Sequence, residues 1–277
     1  MTPLPHAHRR TWTHEVMGSV ATARLVFDHP QNGEHEASVA DAVAAAFAEL
    51  DRMDALFSPY RADSEVSRIR RGETTIGEAD PLVAVVADAC REAAIATDGR
   101  FDAWLGGSFD PTGLVKGWAV ERAARLRLAP VLGKDGCLAA GLSVGGDMQL
   151  LTADGADWIW RVGISDPARP GEIIATLDVP RGAVATSGTA ERGEHVLDPR
   201  TGRPADGSVA SATVVADSLT HADVWATTAM IAGFDDMTWI ATAGTTTGLL
   251  VAADGRTRRW LGATEVSVGP APSAPLL

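Results

Sequence analysis

Lysine is nearly missing from this chain: Lys116 and Lys134 are the only two among 24 basic residues. Tyrosine is scarcer still, with Tyr60 alone. Cysteine is limited to Cys90 and Cys137. They lie far apart and match no metal or redox spacing, so both read as small core residues, Cys90 on the apolar side of a helix. Positive charge is in deficit, with a net charge of −12. That balance argues against nucleic acid or an anionic membrane as partner. No hydrophobic run approaches the about 20 residues of a spanning helix. The N-terminal stretch, Met1 to Thr13, carries His6, His8, Arg9 and Arg10 but no apolar segment, so the expectation is no signal peptide, no membrane anchor and a cytoplasmic protein.

What is present suits a globular chain. Its 277 residues, 45 % of them hydrophobic, are enough for one large or two small domains with a substantial core. Residues 1–11 and 268–277, the latter Pro-rich, read as disordered; residues 12–267 read as one domain. Val16, Val20, Leu25, Val26 and Phe27 suggest strands on either side of Met17-Gly18-Ser19. Val39, Val43, Phe47, Leu50, Met53 and Phe57 recur at helical spacing, and Pro59 ends that helix. Asp80 caps a second helix with Pro81 at its first position and Gly99 just past its end; Leu82, Val85, Ala89, Ala93 and Ala96 form its expected buried stripe. Gly141 to Met148 reads as a buried strand kinked at Gly145-Gly146. Trp158–Ile164 and Ile173–Val179 read as a strand pair, and Val209–Ala216 as a strand. Ser218 caps a helix closed by Gly233. Residues 248–260 read as a hairpin turning at Asp254-Gly255.

Three places carry chemistry. Asp110-Pro111-Thr112-Gly113 is a turn that runs into a helix, with Lys116 in the first turn. Unpaired N–H groups at such a start bind anions, and lysine is a compact, mobile point charge. Two readings stand there: a phosphate site, or an ordinary helix start with a solvated lysine. Asp223 and Thr227, four residues apart, share one helix face. Carboxylate and hydroxyl are hard oxygen ligands that suit Mg²⁺, which keeps waters and takes further oxygens from phosphates; a capping or solvated Asp with a core-facing Thr is the other reading. His195 opens a strand that ends in a turn. It reads either as a general base near neutral pH or as a structural histidine satisfied by backbone.

Taken together these blocks resemble one family. Met17-Gly18, residues 50–65, Gly99-Arg100-Phe101-Asp102, residues 110–123, Gly145-Gly146-Asp147, Thr186-Ser187-Gly188, residues 195–204, and Asp223 with Thr227 follow in order the pattern of the FAD:protein FMN transferases, the ApbE family. The resemblance runs from about residue 17 to residue 261. It implies an α+β fold related to the T-fold, with a mainly antiparallel sheet flanked by helices and an FAD site between two lobes. It also implies an enzyme that uses Mg²⁺ and FAD. FMN would pass to a Thr or Ser hydroxyl of an acceptor flavoprotein or flavin domain, and AMP would leave. Residue by residue, it implies flavin-nucleotide contacts at Met17, Tyr60, Arg100, Phe101, Asp102, Asp110, Lys116 and Leu197. It implies metal ligands at the Gly113 carbonyl, Asp223 and Thr227, and a place for His195 beside the reacting phosphate. The sequence departs from the family at Ser143-Val144, where Asn-Ala is frequent, at Ala190 and at Ala226, where some members carry a further carboxylate. An FAD pyrophosphatase giving FMN and AMP, and a non-catalytic FAD-binding protein, are the alternative functions.

Overall fold

The computed structural model describes residues 7–188 and 197–266. Its backbone is a nine-stranded antiparallel sheet in the order β1-β2-β3-β4-β7-β10-β11-β12-β13. Strand β1 (His8–Val16) and β2 (Ser19–Phe27) form a hairpin. Helices α1 (Gly33–Phe57), α2 (Glu65–Arg70), α3 (Pro81–Ala96) and α4 (Thr112–Ala123) follow, and a π-helical turn at Ala124–Leu128 extends α4. The chain re-enters the sheet as β3 (Cys137–Val144) and β4 (Asp147–Thr152). An excursion, β5 (Trp160–Ser165) with β6 (Ile173–Val179), precedes β7 (Gly182–Gly188). The short pair β8 (Leu197–Asp198) and β9 (Arg203–Pro204) comes next, then β10 (Val209–Ala216). Helices α5 (Leu219–Ala232) and α6 (Ile240–Ala243) lead to β11 (Thr247–Ala252), β12 (Thr257–Leu261) and β13 (Thr264–Val266).

Local chemistry sets the boundaries. Asp80 accepts from the Leu82 N–H and Ser218 from the His221 N–H, so both helices start on side-chain caps. Gly233, at φ 85°, ends α5. Strand β2 alternates along its length, and Ala21, Ala23, Leu25 and Phe27 face the helices. They join Val43, Leu50, Met53 and Phe57 of α1, Leu114 and Val120 of α4, and Leu219 and Trp225 of α5 in one core. The same core takes in Val83, Val86 and Cys90 of α3, so the two lobes expected from the sequence share one interior. The other face of the sheet is covered by the β5-β6 hairpin, where Trp158, Trp160 and Val162 pack on Val26, Ala139 and Leu150.

Three expectations change. Residues 8–11 are not disordered but lie in β1, paired with Arg24 to Phe27 of β2. The buried side of α3 is Val83, Val86, Ala87 and Cys90, with Val85 facing solvent; small alanines all round this helix make two adjacent stripes equally apolar in sequence. Gly145-Gly146 is a hairpin turn between β3 and β4 rather than a kink within one strand. With φ 59° and 94° both glycines occupy the left-handed region that a two-residue hairpin turn requires. The proline-rich segment 268–277 lies outside the described residues.

Candidate active site

The site is built where α4 meets strands β3 and β4 and the helix α5. Gly117 is the closest point. A Cβ added there would stand 3.0 Å from Asp223 Cβ, 3.0 Å from the Leu219 carbonyl oxygen and 3.1 Å from Asp223 Oδ2. Only a residue without a side chain lets the two helices approach so closely. The Asp223 carboxylate therefore lies against the first turns of α4, buried at 1 % exposure. One turn along α5, Thr227 Oγ1 is 3.2 Å from Ser187 Oγ of β7. The segment proposed from sequence as an anion corner and the segment bearing acid and hydroxyl are thus neighbours.

Helix α5 is held in this place by groups from other elements. Glu121 of α4 uses one oxygen, Oε2, to accept from Ser218 Oγ at 2.5 Å, from Thr220 Oγ1 at 2.7 Å and from the Thr220 N–H at 3.1 Å. Gln149 of β4 accepts from the Leu219 N–H at 3.0 Å and donates to the Gly182 carbonyl at 3.0 Å. A carboxylate at a helix N-terminus also complements the helix dipole. Neither Glu121 nor Gln149 was singled out from sequence; their partners are 97 and 70 residues further along, beyond any local pattern.

At the start of α4, Asp110 Oδ1 accepts from the Thr112 N–H at 3.1 Å, and Asp110 Oδ2 pairs with Arg70 at 2.5 Å. Lys116, 26 % exposed, pairs with the buried Asp147 of the Gly-Gly-Asp block. Phe101 lies in the core, and its ring edge comes within 3.0 Å of where a Gly113 Cβ would be. It is a floor under the glycine corner more than a free stacking surface. Met17 adopts φ 54° in the β1-β2 turn, a conformation uncommon for a residue with a side chain. That turn and the β3-β4 turn are at the same end of the sheet, and a Cβ on Gly145 would lie 3.3 Å from Ser19 Oγ.

A second polar group lies beside the 99–102 turn. Arg100 donates to Asp236 at 2.9 Å. A Cβ on Gly99 would stand 3.4 Å from Arg200 Cγ. Arg200 donates through Nε and Nη2 to the two oxygens of Asp198, at 3.0 and 2.8 Å. Those bonds, with the Arg200 N–H and the nearby Arg100 charge, hold the Asp198 carboxyl below the usual range against the opposing effect of burial. Leu197 begins this strand and is half-exposed. The contacts thus gather Arg100, Phe101 and the Leu197 strand near the glycine corner. Two expected residues stay outside them: Asp102 turns back to accept from the Trp104 N–H at 2.8 Å, and Tyr60 is 96 % exposed. His195 lies outside the described residues.

The donor set can be tested against a divalent ion. Among the described residues no group of three or more His, Cys, Asp or Glu side chains forms a metal cluster. The buried Asp223 carboxylate, with Thr227 and Ser187 hydroxyls alongside, offers hard oxygens only. That set fits Mg²⁺, which completes its shell with waters and phosphate oxygens.

Comparison with known proteins agrees with this architecture. A family model described as the ApbE family matches residues 17–110 and 106–250, and the chain belongs to that family. The FAD:protein FMN transferase of Escherichia coli K12 is 32 % identical over 127 residues, 43 % of this chain and 35 % of the relative. That of Rhodobacter capsulatus is 37 % identical over 132 residues, 44 % of this chain and 25 % of the relative. The chain spans about a third or less of the length of these curated relatives. Among solved structures, the ApbE protein of Thermotoga maritima aligns with a TM-score of 0.75 at 23 % identity, covering 91 % of this chain and 97 % of that one. The flavin transferase ApbE of Vibrio cholerae aligns at 0.70 and 19 % identity, covering 92 % and 97 %. At those identities the likeness establishes the fold. No helix among the described residues is long and apolar enough to cross a membrane.

Proposed function

We propose that this chain is a Mg²⁺-dependent FMN transferase that moves FMN from FAD to a Thr or Ser hydroxyl of an acceptor flavoprotein or flavin domain. The observation that carries the reading is the crossing at Gly117, where Asp223 of α5 is pressed against α4 within two turns of the Asp110–Gly113 corner. An oxygen-ligand helix beside an anion-binding helix start is what a diphosphate substrate with a divalent ion requires. The names of the curated relatives support the same substrate.

In this reading the acceptor hydroxyl oxygen attacks the phosphorus on the FMN side of the diphosphate. A new phosphoester bond forms, the P–O bond to AMP breaks, and the hydroxyl proton passes to His195. Asp223, Thr227 and the Gly113 carbonyl would hold Mg²⁺, which when bound supplies neutralisation of the charge that grows on the departing phosphate. Lys116 adds a second positive charge next to the same group. Asp110 takes the Thr112 N–H, and the Leu114 and Val115 N–H groups donate to the Pro111 carbonyl, so the charge that meets the anion comes from Lys116 and the helix dipole more than from open N–H groups. Arg100 and the Leu197 strand bound the nucleotide on the side of the 99–102 turn. Tyr60 stands clear of the protein and is available to close on a ring system. A cytoplasmic location and a flavoprotein acceptor complete the reading.

The test is an incubation of FAD, MgCl₂ and a candidate acceptor, followed by chromatography. AMP and a covalently fluorescent acceptor are expected, and Asp223→Ala should lose both. Free FMN with an unlabelled acceptor would assign an FAD pyrophosphatase instead. Retained FAD with no AMP would assign a binding protein.

A further inference from the structure

We propose that Asp147 is the positioning residue for Lys116. The inference rests on reading Lys116 as the cation that faces the diphosphate. A lysine on the first turn of a helix has four rotatable bonds and no preferred direction of its own. In this fold its ammonium meets a carboxylate that is itself immobile. Asp147 is the first residue of β4, directly after the Gly145-Gly146 turn, and its side chain is 2 % exposed. Its Oδ1 is fixed by the Thr186 N–H of β7 at 2.8 Å. Its Oδ2 is the oxygen that pairs with Lys116. With one oxygen pinned to the sheet, the other gives the flexible lysine arm a fixed carboxylate to dock on.

The same short piece of β7 serves the metal side. Thr186 holds Asp147 through its N–H, while the next residue, Ser187, touches Thr227 through its hydroxyl. The position of the ammonium and the position of the hydroxyl ligand are thus set by adjacent residues of one strand. This gives a physical role to the Gly-Gly-Asp block: two glycines make the turn, and the acid leaves it aimed at α4. A merely structural ion pair would need no link to the reacting group, so the two cases differ in what happens when Lys116 is absent.

The variant to use is Asp147→Asn, which keeps an acceptor for the Thr186 N–H and removes the charge. AMP release from FAD should fall by about tenfold in kcat/KM in an otherwise native chain, and by less than about twofold in a Lys116→Ala background, because coupled residues are not additive. Equal losses in the two backgrounds would overturn the proposal. A second measurement needs neither FAD nor metal. With only two lysines in the chain, trace labelling by an amine-reactive reagent can be followed at each by peptide mass spectrometry, the exposed Lys134 serving as internal reference. Lys116 should label more slowly than Lys134 in the native chain, since its ammonium is half-buried against Asp147 while Lys134 is exposed. In Asp147→Asn the Lys116 rate should rise relative to Lys134; an unchanged Lys116 rate would overturn the proposal. If the native chain releases no AMP from FAD, the functional reading fails while the labelling experiment still decides the Lys116–Asp147 relation.

Discussion

Glu49, on the buried face of α1, has Arg122 Nε at 2.8 Å and Arg127 Nη2 at 3.3 Å. Burial pushes its carboxyl upward, but the hydrogen bonds and charges of the two arginines outweigh that and bring it below the ordinary 4.5. A carboxyl lowered by folding adds stability that is fully present above its unfolded value and is lost as pH falls through its folded one. Glu49→Gln should therefore destabilise the protein by about 1 kcal/mol at neutral pH, since the amide keeps an acceptor and the two arginines, 30 % and 45 % exposed, stay hydrated. The difference from the native chain should shrink progressively below 4.5. Urea unfolding at several pH values reads this directly, and a pH-independent difference would contradict it. The α1 periodicity placed Leu50 and Met53 correctly, but it gave no reason for an acid just before Leu50 at a buried position. That reason lies in two arginines more than 70 residues away. The cysteines were readable because nothing distant decides them: both are buried, with thiols pushed up by desolvation to about 12 and about 11.

Among elements, the α4-α5 crossing is the most exacting. Gly117→Ala would place a methyl 3.0 Å from a backbone carbonyl as well as from Asp223, and backbone cannot move aside as a side chain can. The helices should separate, at a cost of about 1–3 kcal/mol in stability. FMN transfer should be lost far more completely than stability, because Asp223 moves with α5. Thermal unfolding and AMP release, measured on one preparation, separate the two effects; full activity in a destabilised variant would show that the crossing is not part of the site. Local chemistry announced the elements themselves: Asp80-Pro81 and Ser218 mark helix starts, Gly233 an end, and Asp254-Gly255 a hairpin. It did not announce the crossing, since a glycine in a helix looks the same whether it admits a neighbour or simply weakens the turn. The β3-β4 hairpin was misjudged for a related reason. Apolar residues flank Gly145-Gly146 on both sides, so a bent strand and a tight turn share one pattern.

At the scale of the molecule, the proposed site would draw on residues from Met17 in the first hairpin to Thr227 in α5, with α4 between them. A ligand that bridges such distant segments binds the native fold and not the unfolded chain. FAD with MgCl₂ should raise the unfolding temperature together, by the equivalent of about 2.7 kcal/mol at a hundredfold excess over Kd. Asp223→Ala should remove the part that depends on magnesium. A scan in which neither ligand shifts the transition would count against the shared site. The strand order was beyond the sequence. That β4 pairs with β7 across the β5-β6 excursion depends on which apolar faces meet. The order of motifs, by contrast, carried the family and with it the fold.

Among the described residues the sheet does not close on itself, and β1 and β13 are its borders. Free backbone groups on such borders invite a second molecule to add its own strands. β13 is only three residues long and offers little to grip. β1 is nine residues long but begins with His8, Arg9 and Arg10, and Arg10 is tied to Glu36 at 2.7 Å and lies over Trp12. Two copies stacked in parallel register along β1 would bring these cations together. The few positive charges this acidic chain keeps near its beginning therefore also act as a guard against fibrous self-assembly.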